Sequence, residues 1–173
     1  MLLKVFKDAS ILEVGIDEAG RGPLLGRVYA AAVIWNQEIS DSDIPDIKDS
    51  KKLSEKKRNE LRKWIEQNLD YGVGFAEPEE IDEINILEAT YLAMHRAIDN
   101  LNKKPDYILV DGNRFKKYKN IDYQCITKGD DKYYSIAAAS ILAKVYHDEY
   151  IYELCKNNSY LDNRYKLKNN KGY

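Results

Sequence analysis

Residues 11–26 read Ile-Leu-Glu-Val-Gly-Ile-Asp-Glu-Ala-Gly-Arg-Gly-Pro-Leu-Leu-Gly. The apolar run Val14 to Ile16, with Gly15 inside it, predicts a strand over about 11–17 that delivers two adjacent carboxylates, Asp17 and Glu18. A turn with three glycines, one arginine and one proline follows. A strand that ends on acids and breaks into such a turn puts charge at a sheet edge, beside backbone free to approach a ligand closely. Taken alone, acids at a strand end are commonly caps or turn residues. Acidic partners elsewhere in the chain decide which reading holds.

Outward from this stretch, Val28 to Trp35 is apolar throughout and predicts a second strand buried on both faces. The short connection favours an antiparallel pair. Residues 1–10 read as an edge strand or an ordered arm, and 36–50 as a polar surface loop. Ser54 is a good N-cap, and Leu61, Trp64, Ile65 and Leu69 supply an apolar stripe to the helix that follows. Tyr71 to Ala76 predicts a third strand. A short acidic helix and a longer one come next, the longer with Leu87, Tyr91, Met94, Ile98 and Leu101 on one face. Tyr107 to Val110 is a buried-strand run ending on Asp111-Gly112-Asn113, and Asp122 to Thr127 is a further strand before Lys128-Gly129-Asp130. Ser135 to Leu154 predicts a helix with small residues at its centre, Ala137 to Ser140. No internal repeat or linker divides the chain.

A chain of 173 residues with 44% apolar and 32% charged residues has the composition of one globular domain, able to bury a core without disulfides or structural metals. Its formal net charge of −2 means that a nucleic-acid partner must be held by a local patch. Cys125 and Cys155 lack metal-like spacing and read as free thiols of a reducing compartment. No apolar stretch approaches the ~20 residues needed to span a bilayer, and the N-terminus lacks a signal-peptide pattern. The expectation is a soluble, cytoplasmic protein without a membrane partner.

Three predicted strand ends deliver acids: Asp17 with Glu18, then Asp111, then Asp130. Functional groups of open α/β sheets gather where strands terminate. Four carboxylates brought together raise one another's pKa, and hard divalent cations relieve this. The pattern suggests a two-metal nuclease or phosphoryl-transfer site. Gly20-Arg21-Gly22 is either a plain tight turn or backbone N–H groups laid against a sugar-phosphate, with Arg21 adding donors. Lys51, Lys52, Lys56, Lys57 and Arg58 form either a solvated face or a phosphate-gripping ridge at a helix start. Ser140, Lys144 and Asp148 share one helix face, either exposed or turned to the acids. His95 and His147 read as structural. The glycine loop is no Walker A, since no Lys-Ser/Thr pair follows it.

Taken in order, GIDEAGRGPLLG, DSKKLSEKKR, AEPEEIDEINILEAT, ILVDGN, KGD and SIAAASILAKV resemble the ribonuclease HII family from about Val14 to Tyr173. The resemblance implies an α/β, ribonuclease H-like fold with a mixed five-stranded sheet flanked by helices. It implies a Mg²⁺- or Mn²⁺-dependent endonuclease, using two divalent ions, that cuts RNA–DNA hybrids and duplex DNA 5′ of embedded ribonucleotides. The family's four metal-binding acids fall on Asp17, Glu18, Asp111 and Asp130. Gly20, Arg21 and Gly22 match its 2′-hydroxyl-sensing motif. Tyr173 matches the tyrosine that packs on the neighbouring deoxyribose, and Lys52 and Lys144 match phosphate or active-site contacts by position. Family and size together favour a monomer.

Three departures qualify the match. Arg27 stands where the family has proline or a small or apolar residue, which implies a different loop exit. Tyr146-His147-Asp148 replaces Thr-Arg-Asp. Family members continue past the position of Tyr173 with a helix and a basic tail. The expectation is therefore a single catalytic domain, 1–173, lacking the C-terminal helical region. The competing expectation is a truncated, weakly active or inactive hybrid-binding module. A resolvase- or transposase-like core is disfavoured by the GRG and Lys-Gly-Tyr elements.

Overall fold

The computed structural model describes residues 2–22 and 26–168. Strand β1 (Glu13–Ala19) is central, and the five-stranded sheet has the order β3-β2-β1-β4-β5. β2 (Val28–Ile34) runs antiparallel to β1, and β3 (Asp70–Ala76) antiparallel to β2. β4 (Tyr107–Asp111) and β5 (Asp122–Ile126) are parallel additions on the other side. The mixed sheet is as expected, as is the antiparallel first pair.

The strand period of two sorts β1 between two cores. Val14 and Ile16 join Ala30, Ala32, Ile108 and Val110 beneath α2 (Pro78–Asp99), whose Tyr91, Met94 and Ile98 cover that face. Across the sheet, Ala19, Ala31 and Val33 meet α1 (Glu55–Asn68) and α3 (Tyr134–Asn157). The small residues of α3 let it lie close. A Cβ on Gly15 would come within 2.5 Å of the Ile136 backbone nitrogen, so glycine there sets the β1–α3 distance. Ser54 caps α1 by accepting the Lys57 N–H at 3.2 Å. The short acidic helix and the longer one are continuous in α2 but kinked at Asn85, where φ is +70°.

Several boundaries differ from expectation. β1 extends to Ala19, so Asp17 and Glu18 lie within the strand, held there by pairing with Ala31 and Ala30 of β2. Asp130 is not at a strand end. β5 stops at Ile126, and Asp130 sits in a 3₁₀ turn, Gly129–Asp131, that leads into α3. The arm contributes one isolated bridge, Leu3 to Tyr133, and Glu13 fastens it by accepting the Phe6 and Lys7 N–H groups at 2.7 and 2.6 Å. A short fourth helix, α4 (Ser159–Tyr165), follows α3 where no element was expected.

Candidate active site

Because Asp17 and Glu18 are consecutive in a strand, they leave it on opposite faces. Asp17 turns toward α3. Its carboxylate is buried, accepts the Glu18 N–H at 2.7 Å and is hydrogen-bonded by Ser140. Glu18 turns toward α2 and opens on a pocket walled by Leu87, Tyr91, Met94, Asp111 and Arg114. Arg21 reaches back over the turn to Glu18 at 3.1 Å. In the parallel β1–β4 pairing Ile16 faces Val110, which brings Asp111 up beside Asp17 and Glu18. Asp111 also accepts the Gly129 N–H at 2.6 Å, tying the 3₁₀ turn with Asp130 to the end of β4.

Electrostatics report the convergence. Burial, then Glu18 and Asp111, hold the Asp17 carboxyl well above its ordinary range. Burial raises Glu18 too, with Arg21 opposing and Asp111 adding to the rise. Asp130 is pushed up to about 6, by burial first and then by Asp111, Asp49 and Asp131. Asp111 therefore acts on each of the other three acids, and only Arg21 at Glu18 and Lys51 at Asp130 oppose the rise with positive charge. Their side chains still stand apart: among the described residues no three acidic, histidine or cysteine groups are gathered at metal-holding spacing. An all-carboxylate donor set, three of whose members are raised by burial and by Asp111, nonetheless suits a hard, oxygen-seeking divalent cation.

The other predicted residues divide by position. Lys52 is exposed, paired with Asp131 and 4.0 Å from Asp49, at the rim of the acids. Lys144 is buried, with its ammonium 2.5 Å from Asp148 inside α3. Arg58 lies 3.8 Å from Asp148 and donates to the Ser50 and Leu53 carbonyls, so this buried charge group holds the Ser50–Lys52 turn in place. The face shared by Ser140, Lys144 and Asp148 is thus turned inward. Gly20 and Gly22 border Arg21 at the mouth of the site, Gly20 with φ +93°. Tyr173 lies outside the described residues.

Arg27 forms a two-pronged pair with Glu77, at 2.7 and 2.6 Å, and stacks over Phe75 and Tyr150. The loop exit is pinned by this clasp to Glu77, the N-cap of α2. Sequence reasoning passed over Asp49, Ser50 and Asp131. Ser50 meets Ser140 90 positions on and Asp131 meets Lys52 79 positions back, and no local spacing marks either pair.

A mixed five-stranded sheet carrying carboxylates at the ends of its two central parallel strands, with a third acidic turn beside them, defines a ribonuclease H-like nuclease. The ribonuclease HII family model matches residues 14–173. The chain is 49% identical over 173 residues to ribonuclease HII of Phocaeicola vulgatus, covering 99% of this chain and 83% of that one. It is 50% identical over 174 residues to that of Porphyromonas gingivalis, covering 100% and 83%. Among solved structures, ribonuclease H2 from Pyrococcus horikoshii OT3 superposes with a TM-score of 0.67 at 32% identity, covering 83% and 75% of the two chains. Ribonuclease HII from Archaeoglobus fulgidus, solved in complex with PCNA, gives 0.70 at 31% identity, covering 85% and 78%. This chain belongs to the ribonuclease HII family. It is an endoribonuclease acting on RNA–DNA hybrids.

Proposed function

We propose that the chain hydrolyses its substrate at a site formed by Asp17, Glu18, Asp111 and Asp130, which hold Mg²⁺ or Mn²⁺. The observation that carries this is that Asp111 of β4 helps to raise the carboxyls of Asp17 and Glu18 on β1 and of Asp130 in the 3₁₀ turn. When bound, a pair of divalent cations supplies the Lewis acidity that activates a water and stabilises the leaving 3′-oxygen. The protein's own part is placement. Ser140 and the Glu18 N–H orient Asp17, and the Gly129 N–H orients Asp111. Gly20-Arg21-Gly22 lies against the ribose and reads its 2′-hydroxyl, with Arg21 free to exchange Glu18 for a substrate oxygen. Lys52 at the rim draws in the backbone phosphate. Lys144, paired with Asp148, supports the Ser50–Lys52 turn rather than meeting phosphate directly.

On this reading the chain is a single catalytic domain that works as a cytoplasmic monomer and also cuts 5′ of single ribonucleotides in duplex DNA. No helix among the described residues is long and apolar enough to cross a membrane. A duplex containing one ribonucleotide, incubated with Mg²⁺ or Mn²⁺, should yield one cut with 3′-hydroxyl and 5′-phosphate ends. Binding without cleavage under either cation would overturn the assignment and favour a hybrid-binding module.

A further inference from the structure

His147 is fully buried in α3, yet neither ring nitrogen has a hydrogen-bond partner among the described residues. Nδ1 stands 3.8 Å from an Asp148 oxygen, beyond hydrogen-bond range. Tyr29 meets the ring edge-on at a centroid distance of 6.3 Å and leaves the nitrogens unengaged. The Gly20 turn also packs on the ring. A Cβ on Gly20 would lie 2.6 Å from His147 Cδ2, 2.8 Å from Nε2 and 2.8 Å from the Arg27 carbonyl. The imidazole therefore forms the floor on which Gly20 rests, and the glycine's positive φ and missing side chain allow the approach. Buried polar atoms are ordinarily satisfied, and an exception against a substrate-reading turn calls for a functional account.

We propose that His147 is a positioning residue for ribose selection. Its Nε2 side engages the backbone of the Gly20–Gly22 turn when the turn closes on a ribonucleotide, so the hydrogen bond missing from the free protein forms in the complex. A group satisfied only in the bound state adds to discrimination without stabilising the free enzyme. The inference rests on the ribose-reading role proposed above for Gly20-Arg21-Gly22.

The test compares His147→Leu, which keeps similar bulk without nitrogens, and His147→Gln, which keeps an N–H near the reach of Nε2, with Arg21→Ala. Each is titrated, without divalent cation, against a duplex carrying one ribonucleotide and against the all-DNA duplex, and its thermal midpoint is recorded. His147→Leu should lower the ribonucleotide-to-DNA affinity ratio about three- to tenfold while its midpoint stays level or rises. His147→Gln should retain most of the ratio. An unchanged ratio in His147→Leu, or equal losses of ratio and midpoint in both variants, overturns the proposal in favour of packing alone. If Arg21→Ala leaves the ratio intact, the ribose-reading role of the turn falls, and this inference with it. If Arg21→Ala lowers it and His147→Leu does not, only this inference falls.

Discussion

Ser50 and Ser140 share a buried hydrogen bond of 2.9 Å across 90 positions of sequence. Ser140 also faces Asp17, so the turn bearing Lys51 and Lys52 is joined through one hydroxyl pair to the first carboxylate of the proposed site. Ser140→Ala leaves Ser50 short of a partner and Asp17 short of a donor. It should cost about 1–2 kcal/mol of stability in chemical denaturation, because a buried polar partner is removed. Activity should fall with it. Wild-type values for both would show that the link is dispensable.

Asp17→Asn removes one charge from a crowded set. Cleavage should drop on the order of a hundredfold or more, while hybrid affinity is kept, since the phosphate contact proposed above is at Lys52. The metal-free variant should unfold at a higher temperature near pH 7, where like charges repel in the parent. Retained full turnover in Mg²⁺ would remove Asp17 from the ligand set.

The raised carboxyls also fix a pH dependence. A carboxyl whose pKa is higher in the folded than in the unfolded chain binds more protons when folded, so stability falls as pH rises through that interval. For Asp130 the interval runs from about 4, the ordinary aspartate range, to about 6, and Asp17, raised by burial and by Glu18 and Asp111, acts in the same sense. Glu80, held at about 2 by Arg96 and the Glu77 N–H, acts in the opposite sense but below this window. The metal-free midpoint should therefore be higher at pH 5 than at pH 7.5. Millimolar Mg²⁺ or Mn²⁺ should narrow the gap by binding only the folded form. A cation-independent profile would speak against a site at these acids.

Gly15→Ala tests the contact between β1 and α3. The added methyl meets backbone atoms at the start of α3, which have no rotamer to yield. The sheet and helix must part, at about 1–3 kcal/mol by the usual cost of overpacking. Circular dichroism during thermal unfolding reads this directly, and an unchanged midpoint would show that the layers can shift freely.

Much of the fold is legible locally. The unbroken apolar run Val28–Ile34 requires a strand covered on both sides, and α1 and α2 announce themselves by their apolar stripes and, for α1, by Ser54. Asp17, Glu18 and Asp111 could be picked out because each follows a β-run. The same logic picks out Asp130, but a 3₁₀ turn and not a strand end carries it. Helix α4 was missed because seven mostly polar residues show no periodicity to read.

The acids, the glycine turn and the family order of the motifs are properties of the chain, written in spacing and residue type. The tertiary structure decided what each side chain faces. Consecutive placement in one strand sends Asp17 to α3 and Glu18 to α2, and this has meaning only once both layers are in position. The same helix turns Lys144 inward to Asp148 and sets His147 under Gly20, although spacing alone left both their surroundings open. The physical reason is that hydrogen bonds and burial depend on distance in space. In the Ser50–Ser140 pair, on the two faces of β1 and at the floor beneath Gly20, that distance is set by packing between segments far apart in sequence.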